Sequence, residues 1–316
     1  MTLIQKELIH LGHLGLFGSQ KGVYMDGIII INKEKNWTSN DIVQKIKHTF
    51  NEKTGHTGTL DPLATGVLPI LVGKGTSLSK YLINHDKEYI ATVRLGEKTT
   101  TGDIEGDIIE EKMVSSEMFD EENIKRFLET FKGKQTQIPP MYSAIKINGK
   151  KLYEYARSGK SVEVKPRNIE IFDIDLISVC SKNKEIVFKV WCSKGTYIRS
   201  LCEDIAEKIG TVGFMSELNR IRVGEFKIQQ SVKISDIVKD DFINRETINR
   251  DFISIEEFFK KSESVELDDS DLFRFLNGVK IVTTDLIDGI YRIYNKNVFI
   301  GIGIVQNKRL KRDIVI

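Results

Sequence analysis

A loop-forming segment with one acidic residue is the densest candidate for chemistry in this sequence. The segment GHTGTLDPLATGVLPI, residues 55–70, places glycines, threonines and prolines around Asp61. The apolar neighbours Leu60 and Leu63 would partly desolvate the carboxylate, and the tight loop would hold it at a fixed angle. A carboxylate in that environment can act as a nucleophile or a base. The alternative interpretation is an Asx-turn, in which Asp61 holds only its own backbone.

A second candidate is an arginine at the start of a predicted helix. In the segment CSKGTYIRSL, residues 192–201, a strand ends near Gly195 and a helix begins near Tyr197. Arg199 then lies in the first helical turn, where a cation opposes the helix dipole. It needs an anionic partner, which is either a carboxylate or a phosphate. An ordinary exposed arginine is the other interpretation.

The motifs for phosphate loops and metal sites fail on spacing. Gly73-Lys74 suggests a Walker loop, but Leu68 occupies the first required glycine and Gly75 replaces the Ser or Thr. The five histidines show no zinc pattern, and the three cysteines form no CxxC pair. We therefore expect no metal and no cofactor.

The elements that must position these residues include both strands and helices. Residues 28–31 and 87–95 have strand patterns, with Tyr89, Ala91 and Val93 on one side of the second, and further strand patterns cover 170–179 and 185–192. Ser39 or Asn40 can cap a helix, a second apolar stripe ends at Gly133, and a third helix runs from about 197 to 209 before Gly210. A short helix and strand patterns at 279–283, 289–294 and 298–305 follow. The pattern predicts an α+β fold with a small, mostly β C-terminal part.

Composition limits the function classes without identifying a partner. The 316 residues, 40% of them hydrophobic and 29% charged, allow one large domain or a large and a small one. No apolar run approaches the roughly 20 residues that span a bilayer, and unpaired cysteines suit a reducing compartment. We expect a soluble cytoplasmic protein. The net charge is +2, yet residues 146–167 carry seven basic and two acidic side chains, whereas 103–123 carry nine acidic and one basic. Charge alone favours two solvated surfaces over an RNA site.

Six segments together resemble one family. They are GIIIINK (27–33), SNDIVQKIK (39–47), GHTGTLDPLATGVLPILVG (55–73), KEYIATVRLG (87–96), QIPPMYSAIKINGKKLYEYAR (137–157) and CSKGTYIRSL (192–201). In this order they closely resemble the bacterial TruB family of tRNA pseudouridine-55 synthases, from about residue 26 to 226. GIYRIYNKNVFIGIGIV (289–305) is more loosely similar to the PUA-type RNA-binding domain of that family.

The resemblance implies a reaction and a role for each matched residue. Asp61 matches the aspartate that initiates cleavage of the uridine N1–C1′ bond, by covalent attack or by a glycal route. Arg199 matches the arginine that pairs with it, and Tyr89 the tyrosine that stacks on the flipped base and is a candidate for handling the 2′ proton. His56 matches the histidine that helps to fill the space left by the uridine. Tyr197 and Leu218 match positions that line the uracil pocket.

The resemblance also implies an organisation and a partner. A catalytic domain with a mixed, mainly antiparallel sheet would cover residues 25–248, with an RNA-gripping insertion at about 120–167, and a PUA-like domain would cover 249–316. The partner would be tRNA, bound through its T arm by a monomer, and the basic stretch 146–167 then becomes a source of phosphate contacts, as do Lys308, Arg309, Lys311 and Arg312. Residues 1–24 have no counterpart, and we expect translation to start at Met25.

Three other functions remain open at this point. A tRNA-folding chaperone would need no chemistry at Asp61, and the two activities can coexist in one protein. A guide-RNA-dependent synthase shares the aspartate loop but normally works with accessory proteins. An enzyme of small-nucleotide metabolism would have little use for a basic stretch and a separate β-rich part.

Overall fold

The computed structural model describes residues 25–239, 242, 243, 247 and 250–316. The hypothesis that translation starts at Met25 concerns residues 1–24, which lie outside this part of the chain. No helix among the described residues has both the length and the apolar character needed to cross a membrane.

The described residues form both strands and helices. The strands are β1 (Gly27–Lys33), β2 (Thr54–His56), β3 (Thr65–Val72), β4 (Lys87–Leu95), β5 (Glu97–Thr99), β6 (Ile108–Glu111), β7 (Gly133–Gln137), β8 (Lys146–Ile147), β9 (Lys150–Lys151), β10 (Arg167–Cys180), β11 (Glu185–Cys192), β12 (Gly213–Val223), β13 (Phe226–Lys227), β14 (Val238–Lys239), β15 (Phe242–Ile243), β16 (Phe252–Ser254), β17 (Glu263–Glu266), β18 (Ile281–Val282), β19 (Gly289–Asn295), β20 (Val298–Val305) and β21 (Arg309–Val315). The α-helices are α1 (Ser39–Phe50), α2 (Ser79–Leu82), α3 (Glu121–Glu129), α4 (Leu152–Arg157), α5 (Ile198–Ile209), α6 (Ile234–Ile237), α7 (Ile255–Phe258) and α8 (Asp269–Leu276). Short 3₁₀ helices cover Gly73–Leu78, Ser116–Phe119 and Ile228–Gln230.

A ten-stranded sheet forms the centre of the larger part of the molecule. Its order is β16-β1-β3-β12-β4-β11-β10-β7, with β2 beside β3 and β13 beside β12. Most neighbours are antiparallel, but β3 and β12 pair in parallel over two residue pairs, Asn219 with Thr65 and Arg220 with Gly66. Gly66 has φ +105°, and a Cβ there would lie 2.2 Å from the Arg220 carbonyl oxygen. Only glycine permits this close approach. The predicted α+β class with a mainly antiparallel sheet is confirmed.

Helix α1 begins one residue earlier than predicted. Thr38, rather than Ser39 or Asn40, is the N-cap: its hydroxyl accepts from the Asp41 N–H, and the Asp41 carboxylate accepts from the Thr38 N–H. This reciprocal capping box leaves Ser39 free to point inward. The predicted apolar face is buried, with Ile42, Val43, Ile46 and Phe50 all inside.

The other predicted elements are mostly present. Helix α5 ends where expected, because Gly210 takes the left-handed conformation at φ 103°. Strand β10 is longer than predicted, and α3 ends at Glu129, before Gly133. Strands β12 and β21 were not predicted from the sequence.

The C-terminal residues form a separate five-stranded sheet that shares a core with the larger one. Its order is β17-β19-β20-β21-β18, whereas β16 pairs with β1 in the large sheet. The domain boundary at 248/249 stays a prediction. Ile302 on β20 and Ile314 on β21 belong to the same buried cluster as Ile28, Ile30 and Phe259. On the surface above it, the Tyr81 hydroxyl donates to the Asp313 carboxylate at 2.6 Å. The two sheets are thus joined by packed apolar side chains.

The shared cluster should couple the unfolding of the two sheets. Replacing Ile302 with Ala removes a fully buried side chain, and we expect a loss of about 2–5 kcal/mol in the free energy of unfolding. Both tryptophans, Trp37 and Trp191, lie outside the C-terminal sheet. In a urea titration, the tryptophan fluorescence of Ile302→Ala should nevertheless change at a lower urea concentration than that of the wild type. Val298→Ala, at an exposed position of the same strand, should leave it nearly unchanged. An unchanged urea midpoint of the tryptophan fluorescence in Ile302→Ala would contradict the coupling of the two sheets.

Candidate active site

Five of the six predicted site residues line one cavity of about 480 Å³. They are Asp61, Tyr89, Tyr197, Arg199 and Leu218. They come from the turn before β3, from β4, from the start of α5 and from β12. His56 lies at the end of β2, directly before the lining residue Thr57, and is not itself part of the lining. The volume is in the range of small-ligand sites, about 300–1,000 Å³.

Arg199 lies between two carboxylates. Its Nε is 3.1 Å from Asp61 Oδ2, and its Nη1 is 3.5 Å from Asp103 Oδ2. The remaining donors reach backbone carbonyls, Nη1 to Thr101 at 3.1 Å and Nη2 to Tyr142 at 2.8 Å. The side chain is only 7% exposed. The anionic partner expected for an arginine in the first turn of a helix is therefore a pair of carboxylates.

The Asp61 carboxylate is in a partly desolvated but accessible position. Burial raises the pKa of Asp61, whereas the neighbouring Arg199 guanidinium opposes the rise and the Asp103 carboxylate adds to it. The side chain is still 35% exposed, because it faces the cavity and not the core. A carboxylate in this position is reachable by a ligand and keeps a strong partner for its ionised form.

Hydrogen bonds from buried side chains fix the loop that carries Asp61. The Ser39 hydroxyl accepts from the Leu60 N–H and donates to the Leu60 carbonyl. The fully buried Lys33 ammonium donates to the carbonyls of Trp37 and Pro62, at 2.6 and 3.2 Å. The turn itself is closed by the Ala64 N–H, which donates to the Asp61 carbonyl. The Asx-turn interpretation fails, because the backbone closes the turn and the carboxylate faces Arg199.

Arg220 is a site residue that sequence reasoning missed. It is 1% exposed, and its guanidinium donates to the carbonyls of Val67, Gly58 and Thr59 at 2.8, 3.0 and 3.4 Å. It also lies directly across from Tyr89 in the β12–β4 register. Since strand β12 was not predicted, the place of Arg220 in the site was not predicted either. The signal was present in the alternation Leu218, Arg220, which places both on one face of a strand.

Sequence reasoning also missed Gln137 and Asp103. Gln137 holds the backbone of Tyr197, and Asp103 pairs with Arg199. The Gln137 amide makes two hydrogen bonds to the backbone of Tyr197, donating to its carbonyl at 3.0 Å and accepting from its N–H at 2.8 Å. Asp103 accepts from the Thr101 hydroxyl and is 4% exposed. Its position in the acidic segment 103–123 gave no sign that it turns inward.

The aromatic and imidazole groups are neutral near pH 7. Burial raises the pKa of Tyr89 to about 12, so its hydroxyl keeps its proton. Burial, with Arg220 nearby, lowers the pKa of His56. The Gly58 N–H donates to His56 Nδ1 at 3.3 Å, as expected for a neutral ring protonated on Nε2. The Asp61 carboxylate thus lies next to the Arg199 guanidinium and shares the cavity with the Tyr89 phenol.

A metal centre is not part of this arrangement as far as the described residues go. Among them, no group of three or more His, Cys, Asp or Glu side chains is placed to hold a metal ion. What the site offers is a carboxylate for attack or proton transfer, a guanidinium that favours its ionised form, and an aromatic face.

Comparisons with known proteins agree along most of the chain. Residues 45–198 match the family model for the N-terminal domain of TruB family pseudouridylate synthases. Residues 199–265 match the C-terminal domain model of tRNA pseudouridylate synthase B, and residues 264–312 match a C-terminal model of pseudouridine synthase II TruB.

Individual relatives are similar over nearly their whole length. A tRNA pseudouridine synthase B of Francisella philomiragia is 41% identical over 302 residues, covering 92% of this chain and 97% of the relative. The protein of the same name from Clostridium tetani is 43% identical over 285 residues, 88% and 95% of the two chains. Among solved structures, a Cbf5-Nop10-Gar1 complex contains a chain with TM-score 0.63 and 24% identity, covering 93% of this chain and 84% of that one. This last likeness shows a shared fold.

Replacing Arg220 with Met would remove the guanidinium donor from three backbone carbonyls, those of Val67, Gly58 and Thr59. We expect the free energy of unfolding to fall by about 2–4 kcal/mol, since each orphaned acceptor costs about 1–3 kcal/mol and removal of a buried charge offsets part of this. Urea denaturation measures the change. Arg222→Met is the matched control on the same strand, because Arg222 is partly exposed and pairs with Glu88, a contact worth at most about 1 kcal/mol. Equal losses in both variants would contradict the role given to Arg220.

Proposed function

We propose, because this chain belongs to the TruB family of pseudouridylate synthases, that it isomerises uridine to pseudouridine at position 55 in the T loop of tRNA. The observation that carries the proposal is the Asp61–Arg199 ion pair of 3.1 Å in a cavity lined by Tyr89. The reaction moves one bond: N1–C1′ breaks, the uracil turns, C5 bonds to C1′, and the proton lost from C5 is balanced by one gained at N1. It requires no electron transfer and no activated group.

Each site residue has a part in this proposal. The Asp61 carboxylate starts the cleavage at the ribose, and Arg199 keeps that carboxylate ionised. Tyr89 offers its ring to the extruded base and its hydroxyl as a donor. The raised pKa of Tyr89 disfavours the phenolate that would be needed to remove a 2′ proton. Tyr197, held by Gln137, and Leu218 enclose the uracil.

His56 has a different part, because it lies beside the cavity and not in its lining. In that position its neutral ring can fill the gap in the T loop from which the base has been extruded. Extrusion costs a few kcal/mol, and contacts elsewhere must offset it.

The basic stretch of the insertion can supply those contacts. Seven side chains carry its positive charge, six of them exposed and Lys151 partly so. Within the described residues none of the seven forms an ion pair with Asp or Glu, so all are available for phosphates. Lys151 and Arg157 also lie 5.2 and 5.3 Å from the centre of the Tyr153 ring, which gathers two charges around α4.

The proposed state is a cytoplasmic monomer. The three cysteines are free thiols, as a reducing compartment would keep them.

Asp61→Asn tests the reaction directly. The amide cannot act as a nucleophile or a base, so we expect no pseudouridine on an unmodified tRNA transcript, whereas the wild type should give one at position 55. Carbodiimide modification followed by primer extension maps the product. Asp175→Asn, an exposed acid on β10, should react like the wild type. Neither a guide RNA nor an accessory protein is added to the tRNA transcript, so a guide-dependent enzyme would give no product even in its wild-type form. Retained activity in Asp61→Asn would refute the role of the aspartate.

Asp103→Asn tests the electrostatics of the pair. The Asp103 charge raises the pKa of Asp61 and shares Arg199 with it, so its removal should lower the pKa of Asp61. The rate rises with pH as the reactive carboxylate ionises, and the acid limb should therefore move to lower pH. Single-turnover rates between about pH 4 and 8 measure this limb. Asp107→Asn, exposed nearby, should leave it in place. A shift to higher pH in Asp103→Asn would contradict the assignment.

A further inference from the structure

Lys87 is a buried cation in the active-site cavity that the proposed reaction does not use. It is 8% exposed, and it lines the cavity from β4, two residues before Tyr89 and on the same face. Its ammonium donates to the His85 carbonyl. No carboxylate of the described residues lies within ion-pair distance, although buried charges are normally paired.

The groups around Lys87 leave its ammonium without an anionic partner at ion-pair distance. Burial lowers its pKa to about 8, and the cations Arg220 and Lys194 act in the same direction, whereas Cys192 and Asp86 oppose the shift. Lys33, the other buried lysine among the described residues, differs because three backbone carbonyls accept from its ammonium. Two of the three N–H groups of Lys87 thus have no protein acceptor in the described structure, and an anion from outside would satisfy them.

Lys87 and Gly58 of the Asp61 loop line the cavity together. A Cβ added to Gly58 would be in van der Waals contact with both cations, 3.9 Å from Lys87 Cε and 3.5 Å from Arg220 Nη1, so the loop lies close beside the lysine. Lys87 is about 7 Å along the strand from Tyr89, since two residues of a strand span that distance. In a nucleotide the ribose separates the base from the phosphate by a comparable distance. The base can therefore lie at Tyr89 while the phosphate lies at Lys87.

The trough beyond the cavity also suits a sugar-phosphate chain. A second cavity, of about 690 Å³, shares Asn168 and Lys194 with the first and is lined by Lys134 as well. Lys194 lies at the junction of the two, where its ammonium donates to the Asn84 side chain. An RNA strand that passes along this trough would place a phosphate next to Lys87.

We propose that Lys87 binds a phosphate that flanks the target uridine and so fixes the nucleotide over Asp61. This proposal rests on the proposed function, because it takes RNA as the ligand. The ammonium is a binding and positioning group and has no part in bond cleavage. The free protein bears the cost of a buried charge without a counter-ion, and the substrate supplies the counter-ion.

The test uses Lys87→Met in the full chain with a synthetic T-arm hairpin. Because one phosphate contact is lost, we expect about a tenfold weaker Kd and a salt dependence of log Kd reduced by about 0.7–0.9. The melting temperature of the free variant should not fall, since an unpaired buried charge is removed. Lys87→Arg should restore the salt dependence, and Lys182→Met, an exposed lysine between β10 and β11, should not change it.

A neutral phosphate identifies the contact. Hairpins with a methylphosphonate on the 5′ or the 3′ side of the target uridine should bind the wild type about tenfold more weakly at one of the two positions. Lys87→Met should be insensitive at that same position. Additive losses at both positions, or an unchanged salt dependence with a lower melting temperature, would show a structural lysine and overturn the proposal.

The proposed function is checked separately in the same experiment. Conversion of the unmodified hairpin by the wild type establishes the reaction, and failure of the Lys87 assignment would then leave it standing. A wild type that neither binds nor converts the hairpin would overturn both.

Discussion

The site depends on one buried guanidinium. Arg199 enters from the first turn of α5, where the helix dipole disfavours a cation, and its charge is balanced by Asp61 and Asp103. Its other donors hold the backbone of two more segments, at Thr101 and Tyr142. A single side chain thus brings together the aspartate loop, the turn after β5, the segment after β7, and the helix. The Asp61 carboxylate is positioned by the same contact with Arg199 that favours its ionised form.

A second layer of buried polar groups makes the loop around Asp61 rigid. Ser39, Lys33 and Arg220 each bond to its backbone from a different element. Burial of such polar groups costs free energy unless every donor has an acceptor, and most of the donors that support this loop have one. The wall of the cavity around Asp61 is therefore held by the protein itself, without a ligand. Lys87 differs, because only one of its three N–H groups has an acceptor in the described protein and the proposed phosphate supplies the others.

The sequence predicted the parts of this site that depend on local chemistry. Asp61 stood out from the density of turn residues around it, and Arg199 from its unfavourable place in a helix. The resemblance to one family added the roles of Tyr89, Tyr197 and Leu218. Arg220 and Asp103 were missed because each acts across more than 90 residues of chain, Arg220 on Gly58 and Asp103 on Arg199. The cap of α1 was misplaced by one residue for a related reason: Ser39 has a capping side chain, but the loop at Leu60 uses it.

The span of these contacts has a consequence for biosynthesis. Arg220 reaches back 153 residues to Val67, and β1 obtains its outer neighbour β16 only at residues 252–254. As the chain leaves the ribosome, the loop with Asp61 emerges early, but the cation that fixes its carbonyls arrives after two thirds of the protein is made. Closing contacts of this separation is slow because the intervening chain loses entropy. A truncated product that ends before β12 therefore carries the aspartate with Ser39, Lys33 and Arg199, but without the hydrogen bonds from Arg220 to its loop.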